Sequence, residues 1–549
     1  MTLMRLRQSP IRALDEDWVQ PRRSGRWTTI GNLDSANRAA VDPAGLVTVD
    51  GAPWSLDWWI GAEDRWHLPC REVAVRQSLV GGSPVIETRL RVPSGDAVHR
   101  SYAARNLEGD EAVVVEIENQ STVPFAVALA MRPHDQSAVG RIDELALDGS
   151  TVRVDGRLAL LLPRSPGRIA LSTAEGGDSA AIVLTGGAEP VRPGAVHCGA
   201  GLAQAALLFP LAHTATLRVV VPLGDDGEAP AAGPQAYPSA QEVASGWSLQ
   251  AGRGARLEVP DRRLRDAVAA SVRHLLLGQG ALDETVALDL AGFPAEAARS
   301  LINGRVDLAR SDRPGAALAT VVRHWELTRD TEFARGMVDL VAALLARLGR
   351  VRDGDDRGAG NRALPGAAAM LEAAGEARAA ADVLVVARRA PAAPAPGGPG
   401  LRDLLGAANG TWSWPGPRTG HDPVANAALV RLVRDQLVAD GDDGLVLSPG
   451  VPESWLGQGW ELHDAPTRHG RLSYAVRWHG DRPALLWHVD PHDADAAVRL
   501  TVPTLDPAWS STACKGDALL GPVALPVKAP RRGLSTPVTV EPMPGRGRD

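Results

Sequence analysis

The chain has 549 residues, a formal net charge of −7, 44% hydrophobic residues and 22% charged ones. So long a chain cannot share one hydrophobic core, so two to four domains of roughly 100–200 residues are expected. The acidic balance argues against a nucleic-acid partner, and no run approaches the roughly 18 apolar residues of a membrane span.

The opening stretch MTLMRLRQSPIRALDEDW is basic but has no apolar signal core, so a cytoplasmic protein with no membrane partner is expected. Cys70, Cys198 and Cys514 are odd in number and far apart, which reads as reduced structural thiols. No metal and no cofactor are expected. The glycine pairs lack the Gly-Lys-Ser/Thr of a phosphate loop, and HVDPHD, His488 to Asp493, reads as a turn. The aromatic set is lopsided, with 15 Trp against 3 Tyr and 4 Phe. Tryptophan offers a flat apolar face and one N–H donor, which suits stacking on sugar rings. A GC-rich coding bias would raise Trp, Arg, Ala and Gly together and accounts for any single tryptophan equally well.

In chain order, residues 1–225 read as β. Short alternating runs such as LVTVDGAPWSLDWWI, PVIETRLRV, EAVVVEIENQ and ATLRVVVPL are punctuated by Gly, Pro, Asn and Asp, as in a large antiparallel sandwich. Residues 226–259, rich in Pro, Ala and Gly at the start, read as a linker. The period then switches from 2 to 3.6. Helices are expected over Asp261–Gln279, Leu282–Leu290, Pro294–Ile302, Ala316–Leu327, Thr331–Leu348, Gly366–Ala373, Glu376–Arg389 and Val424–Val438, with RDGDDRGAGNR and RAPAAPAPGGPG as loops. Their short connections make residues 260–440 a domain of α-hairpins. From 441 to 525 the chain is β again, a small cap with a hairpin turn at His479-Gly480-Asp481, and 526–549 is a tail.

This order, with GRWTTIGNL, WSLDWWIGAEDRWHLP and VVVEIENQSTVPFAVALAMRP near the start and VPESWLGQGWELHDAPTRHGRLSYAVRWHGDRPALLW near the end, resembles the glucoamylase-like, six-hairpin glycosidases, in an actinobacterial branch. The resemblance covers residues 20–225 and 410–515 and is poor between them. It implies a multidomain β + α fold: a large antiparallel β-sandwich, an α/α toroid and a small C-terminal β cap. It also implies acidic and aromatic loops in the toroid: Phe-Arg-Asp, Glu-Trp-Asp-Ala-Asn-Gly, Trp-Asp-Asp-Phe-Trp and Gly-Asp-Gly-His-His-Gly-Trp. Here they are missing or eroded, as LLLGQG, SDRPGAALATVVRHWELTRD, NRALPGAAAMLEAAGE and TWSWPGPRTGHDPVANAALV. At roughly 16–18 residues per helix and connection, residues 260–440 hold about ten helices, fewer than six hairpins require.

Glycoside hydrolysis needs two carboxylates flanking the scissile bond. The candidates that survive by resemblance are Asp312 and Asp422. Each also has a plainer reading as a helix N-cap, Ser311-Asp312 ahead of Pro314 and Asp422 ahead of Pro423. Glu284 suits a helix macrodipole, and Glu326 reads as a solvated helix face. For substrate binding the candidates are Asp57, Trp58, Trp59 and Trp66 in the sandwich, and Trp412, Trp414 and His421 before the last helix. The Trp54–Trp66 segment reads equally as the surface that packs on the helical domain.

The reading is a glycoside-hydrolase-like, carbohydrate-active protein with an impaired catalytic site, which keeps a carbohydrate ligand or partners an active paralogue. Two alternatives stay open: an active α-glycosidase or trehalase-like hydrolase using a carboxylate pair, and a non-enzymatic structural or interaction protein. Fold does not choose among them. Carboxylates facing one cavity favour an enzyme.

Overall fold

The computed structural model describes residues 27–136, 138–224, 233–278, 280–352, 354–389, 400–414, 422–441 and 443–526. His421, most of RAPAAPAPGGPG and nearly all of the expected tail lie outside them. The β-rich start folds into two nine-stranded sheets. One runs in the order Thr28–Gly31, Arg38–Val41, Val47–Val49, Ser55–Gly61, Phe125–Arg132, Gln204–Leu211, Arg168–Ser172 and Glu189–Pro190, with Trp66–His67 beside Ser55–Gly61. The other is centred on Thr216–Pro222, Glu111–Asn119, Gly95–Arg105 and Val85–Val92. Every pairing in both is antiparallel.

Strand Glu111–Asn119 shows how sequence sets the packing. Val113, Val115 and Ile117 alternate into the core between the sheets, as a period of two requires. Ala112 and Val114, on the opposite face, are also apolar and buried. A strand apolar on both faces must be covered on both. The cover is helix α2, Ala240–Ala251, whose Ala240 and Ala244 join that second cluster. This helix lies inside the stretch expected to be a linker. Ser239 and Glu242 begin it with a reciprocal capping box. The first sheet has a smaller lid, α1, Ser179–Leu184, packed over Trp59, Ala128, Ala130 and Ala206.

The helical region comprises α3 (Arg262–Leu276), α4 (Leu282–Leu290), α5 (Pro294–Asn303), α6 (Arg305–Leu308), α7 (Pro314–Thr328), α8 (Thr331–Gly336), α9 (Val338–Leu348), α10 (Asp355–Ala373), α11 (Ala377–Arg389), α12 (Leu401–Ala407) and α13 (Pro423–Leu437). The main packing path is α11–α10–α7–α4–α13–α3, with α5 and α9 alongside. Among the described residues this is an open arc, not a closed ring. Residues 355–362 of RDGDDRGAGNR, expected as a loop, form the first turns of α10. Its glycines permit a close helix crossing: a Cβ on Gly360 would sit 3.1 Å from the Gly315 Cα, and one on Gly315 would sit 1.8 Å from the Asp356 carbonyl oxygen. Close approach offsets the poor helix propensity of glycine, about 1 kcal/mol per residue.

The chain ends in a cap of two sheets, one five-stranded and one four-stranded. The expected linker supplies Arg256–Glu258, an edge strand of the larger sheet. The hairpin at Gly480-Asp481 is as expected, with His479 opposite Arg482. The expected turn HVDPHD is in strand as far as Pro491. Trp455, Trp460 and Trp487 share one core with Leu264, Ala267, Leu429 and Val433 of α3 and α13. Trp478 is only half-buried. No helix among the described residues is long and apolar enough to cross a membrane.

Two predictions follow from this packing. Trp460 is 1% exposed, with its Nε1 donating to Ser448 Oγ at 3.1 Å, so Trp460→Ala should lower stability in urea melts by about 3–5 kcal/mol. Asp42 is buried, and burial pushes its carboxyl up to about 7, against lowering by the Leu46 and Ala44 N–H groups. A folded-state value above the unfolded one of about 3.9 stabilises below the unfolded value and is lost as pH rises through the folded value. Asp42→Asn keeps the acceptor without the proton. Its stability relative to wild type should therefore rise from about pH 4 to about pH 7, by at most about 1.4 kcal/mol per pH unit, and then level off. A flat difference would contradict this.

Candidate functional site

A cavity of about 930 Å³ opens where the sandwich meets the helices. Its walls are the turn Leu33–Ala36, the end of α3, the starts of α4 and α5, and α6 with Ser311. The loops ahead of α4 and α7 reach it, where the resemblance places chemistry. Leu275, Leu288, Phe293 and Leu301 form an apolar floor, and Asp34, Arg38, Arg253, Glu296, Arg299 and Asp307 surround it. No tryptophan lines it among the described residues.

The sandwich side is held by two residues. Glu111 accepts from Ser35 Oγ at 2.6 Å and from Asn37 Nδ2 at 2.8 Å, which fixes the turn. Burial raises the Glu111 carboxyl, but the hydrogen bonds from Ser35, Arg105 and Asn37 outweigh it and hold it below the usual range. Arg38, 6% exposed, donates from Nε and Nη2 to the Leu277 carbonyl at 3.1 and 2.9 Å. Across the mouth Asp34 pairs with Arg299 of α5, and Arg253 lies 3.5 Å from Glu296. Asp34 and Asp307 are exposed and Glu296 is half-buried.

Asp312 and Asp422 do not line this cavity. Asp312 is exposed, and the N-cap position of α7 is Arg313, with no side-chain cap. The capping falls instead to Asp356 of α10, which accepts from the Gly315 N–H at 3.0 Å and the Ala316 N–H at 2.8 Å. Asp422 is the N-cap of α13, accepting from the Val424 N–H at 3.0 Å. Glu326, expected on a solvated face, reaches Arg468 of the cap at 2.9 Å. Glu284 is 2% exposed in the first turn of α4. A second buried acid, Asp289, binds His324 Nδ1 at 2.8 Å and ties α4 to α7; burial raises its carboxyl.

The sandwich candidates are enclosed rather than presented. Trp58 faces the core between the sheets and stacks on His99, and Trp59 lies under α1. Asp57 accepts from Arg132 Nη2 at 2.5 Å and from Trp59 Nε1 at 3.1 Å, with Asp57 and Arg132 both buried. Trp66 packs half-buried at the edge of the same cluster. The Trp54–Trp66 segment thus packs within the sandwich, because its alternate rings fill the two faces of one strand, and not as the surface expected against the helical domain. Trp414 is a core residue whose Nε1 donates to the Leu404 carbonyl, and Trp412 is half-buried beneath the Arg263 guanidinium.

Asp34, Arg38, Glu296 and Arg299 were missed. The available signal was Asn32-Leu33-Asp34-Ser35-Ala36-Asn37, a dense run of turn formers that begins where GRWTTIGNL ends. Nothing in spacing announces that a turn near residue 34 meets a helix near residue 299. Among the described residues no group of His, Cys, Asp or Glu is placed to hold a metal ion.

No family model matches this sequence, and no curated protein matches it. Among solved structures, the chain is similar to a bacterial glucoamylase complexed with acarbose, at 10% identity and a TM-score of 0.46, over 68% of this chain and 67% of that one. It is also similar to a putative kojibiose phosphorylase from the human microbiome, at 8% identity and a TM-score of 0.39, over 91% of each.

The capping geometry yields a direct check. Asp422→Ala should cost about 1 kcal/mol of stability by removing an N-cap, while Asp422→Asn should stay within a few tenths of wild type. Thermal melts of the two variants decide this. An equal loss in both would contradict the capping role.

Proposed function

We propose that this chain is a carbohydrate-binding protein of glycoside-hydrolase type whose cleft holds a saccharide without hydrolysing it. The observation that carries the reading is the setting of the carboxylates in that cleft. A glycosidase buries one carboxyl in an apolar setting. Asp34 and Glu296 instead lie beside arginines, and Asp34 and Asp307 face water. Carboxylate oxygens accept from sugar hydroxyls and guanidinium groups donate to them, while Leu275, Leu288, Phe293 and Leu301 add apolar lining for C–H faces. Free thiols at Cys70, Cys198 and Cys514 fit a reducing, cytoplasmic setting. An active paralogue as partner is the companion proposal.

A second reading has its own observation. Asp34, Glu296 and Asp307 line one cavity, which favours a hydrolase with relocated acids. One experiment separates the two. Purified protein is titrated with maltose, trehalose and maltooligosaccharides by calorimetry, and the same mixtures are assayed for released glucose. The first reading expects saturable binding, weakened about tenfold or more by Arg299→Ala, and no turnover. Turnover abolished by Glu296→Gln or Asp307→Asn establishes the second. No binding of any saccharide refutes both.

A further inference from the structure

The connection from Asn32 to Asn37, which carries Asp34 into the cleft, is longer than the tight hairpin turns that their own backbone fixes. It takes its shape from side chains. Arg38 Nη1 holds the two ends, at the carbonyls of Asn32 and Asn37, and Ser35 Oγ accepts from the Asn37 N–H at 3.0 Å. Between them Asp34 has a φ of 59°, in the left-handed region. A non-glycine residue stays there only where its surroundings hold it. The ion pair of Asp34 with Arg299 is exposed on both sides, and such a pair is worth little on its own.

The hold on the middle of the turn comes from across the sandwich. The turn joins Thr28–Gly31 to Arg38–Val41 in the first sheet, whereas Glu111 opens a strand of the second. Glu111 Oε2 accepts from Ser35 Oγ at 2.6 Å and from Asn37 Nδ2 at 2.8 Å. Its Oε1 accepts from Asn32 Nδ2 at 3.3 Å and from Arg105 Nη2 at 2.5 Å. A carboxylate offers about four acceptor sites. Here four donors take them, and three belong to the turn. Glu111 itself does not line the cleft.

On the reading of the cleft as a saccharide site, we propose that Glu111 is its positioning residue, which presents Asp34 at the mouth and sets the affinity from outside. Glu111 touches no sugar. It acts through Asp34, whose carboxylate meets sugar hydroxyls only while the turn keeps it in place. Glutamine at position 111 keeps the size of the side chain but turns one acceptor into a donor, which then faces other donors.

Calorimetric titration of the full chain with maltotetraose tests this in wild type, Glu111→Gln, Asp34→Gly and the double variant. Glycine suits the left-handed backbone at position 34. Each single variant should weaken binding about tenfold, the worth of a hydrogen bond to a charged group. The double variant should be no more than about twofold weaker than either single, since both remove the same contact. Ser35→Ala combined with Asn37→Ala releases the turn while leaving Glu111 in place, and should reproduce the loss even if Glu111→Gln fails to fold. A general loss of structure would instead multiply with Asp34→Gly and lower the thermal melt. Wild-type affinity in Glu111→Gln and in the Ser35–Asn37 variant, or losses that multiply, overturns the role of Glu111 and leaves the saccharide reading standing. A wild-type chain that binds no maltotetraose overturns both.

Discussion

The geometry of the cleft depends on one buried guanidinium. Arg38 leaves the edge of the sandwich and places two N–H donors on the carbonyl that ends α3. A cation at a helix C-terminus is favourable, and here the contact also positions the end of α3 beside Gly278, which lines the cavity with Gly280 and Ala281. Arg38 also donates from Nη1 to the carbonyls of Asn37 and Asn32, so it braces its own turn. Gly31 leaves room for it, since a Cβ there would meet the Arg38 side chain at 2.7 Å. The guanidinium is satisfied by carbonyl oxygens, and burial lowers its proton affinity from the ordinary arginine value.

Around that brace the three parts of the chain are joined by short-range contacts of different kinds. Arg273 of α3 donates to the Gly82 carbonyl of the sandwich. Thr28 Oγ1 lies 2.6 Å from Thr411 Oγ1, which holds the segment before α13 to the first strand. The cap attaches through its apolar core and through Arg323 and Arg434, both paired with Asp440. These joints account for acids that sequence reading assigned to chemistry or to solvent. Asp422 begins a helix, Glu326 holds the cap, and Asp57 neutralises a buried arginine.

Much of the architecture was legible because periodicity reports burial. The switch from period 2 to 3.6 and back located the sandwich, the helices and the cap, and α4 falls on the residues expected for it. Composition misled where glycine or proline served packing. RDGDDRGAGNR reads as a loop because glycine weakens a helix, yet Gly360 is what lets α10 approach α7. The linker concealed α2 because its first residues are rich in Pro, Ala and Gly while the helix follows them. The site was less legible. Asp34 and Arg299 are far apart in sequence, and their meeting is a property of how two domains dock. The tryptophans were visible as a set, but an alternating strand gives no sign of whether its outer face meets water or a helix such as α1.

The central claim is that the cleft between the Leu33–Ala36 turn and the starts of α4 and α5 receives a saccharide. Methyl NMR of the leucine-labelled chain, titrated with maltooligosaccharide, tests this most directly. The account predicts saturable shifts on Leu33, Leu282 and Leu308, which line the cleft, with those of the distant Leu519 in the cap unmoved. Shifts confined to leucines elsewhere, or none at saturating sugar, would contradict it.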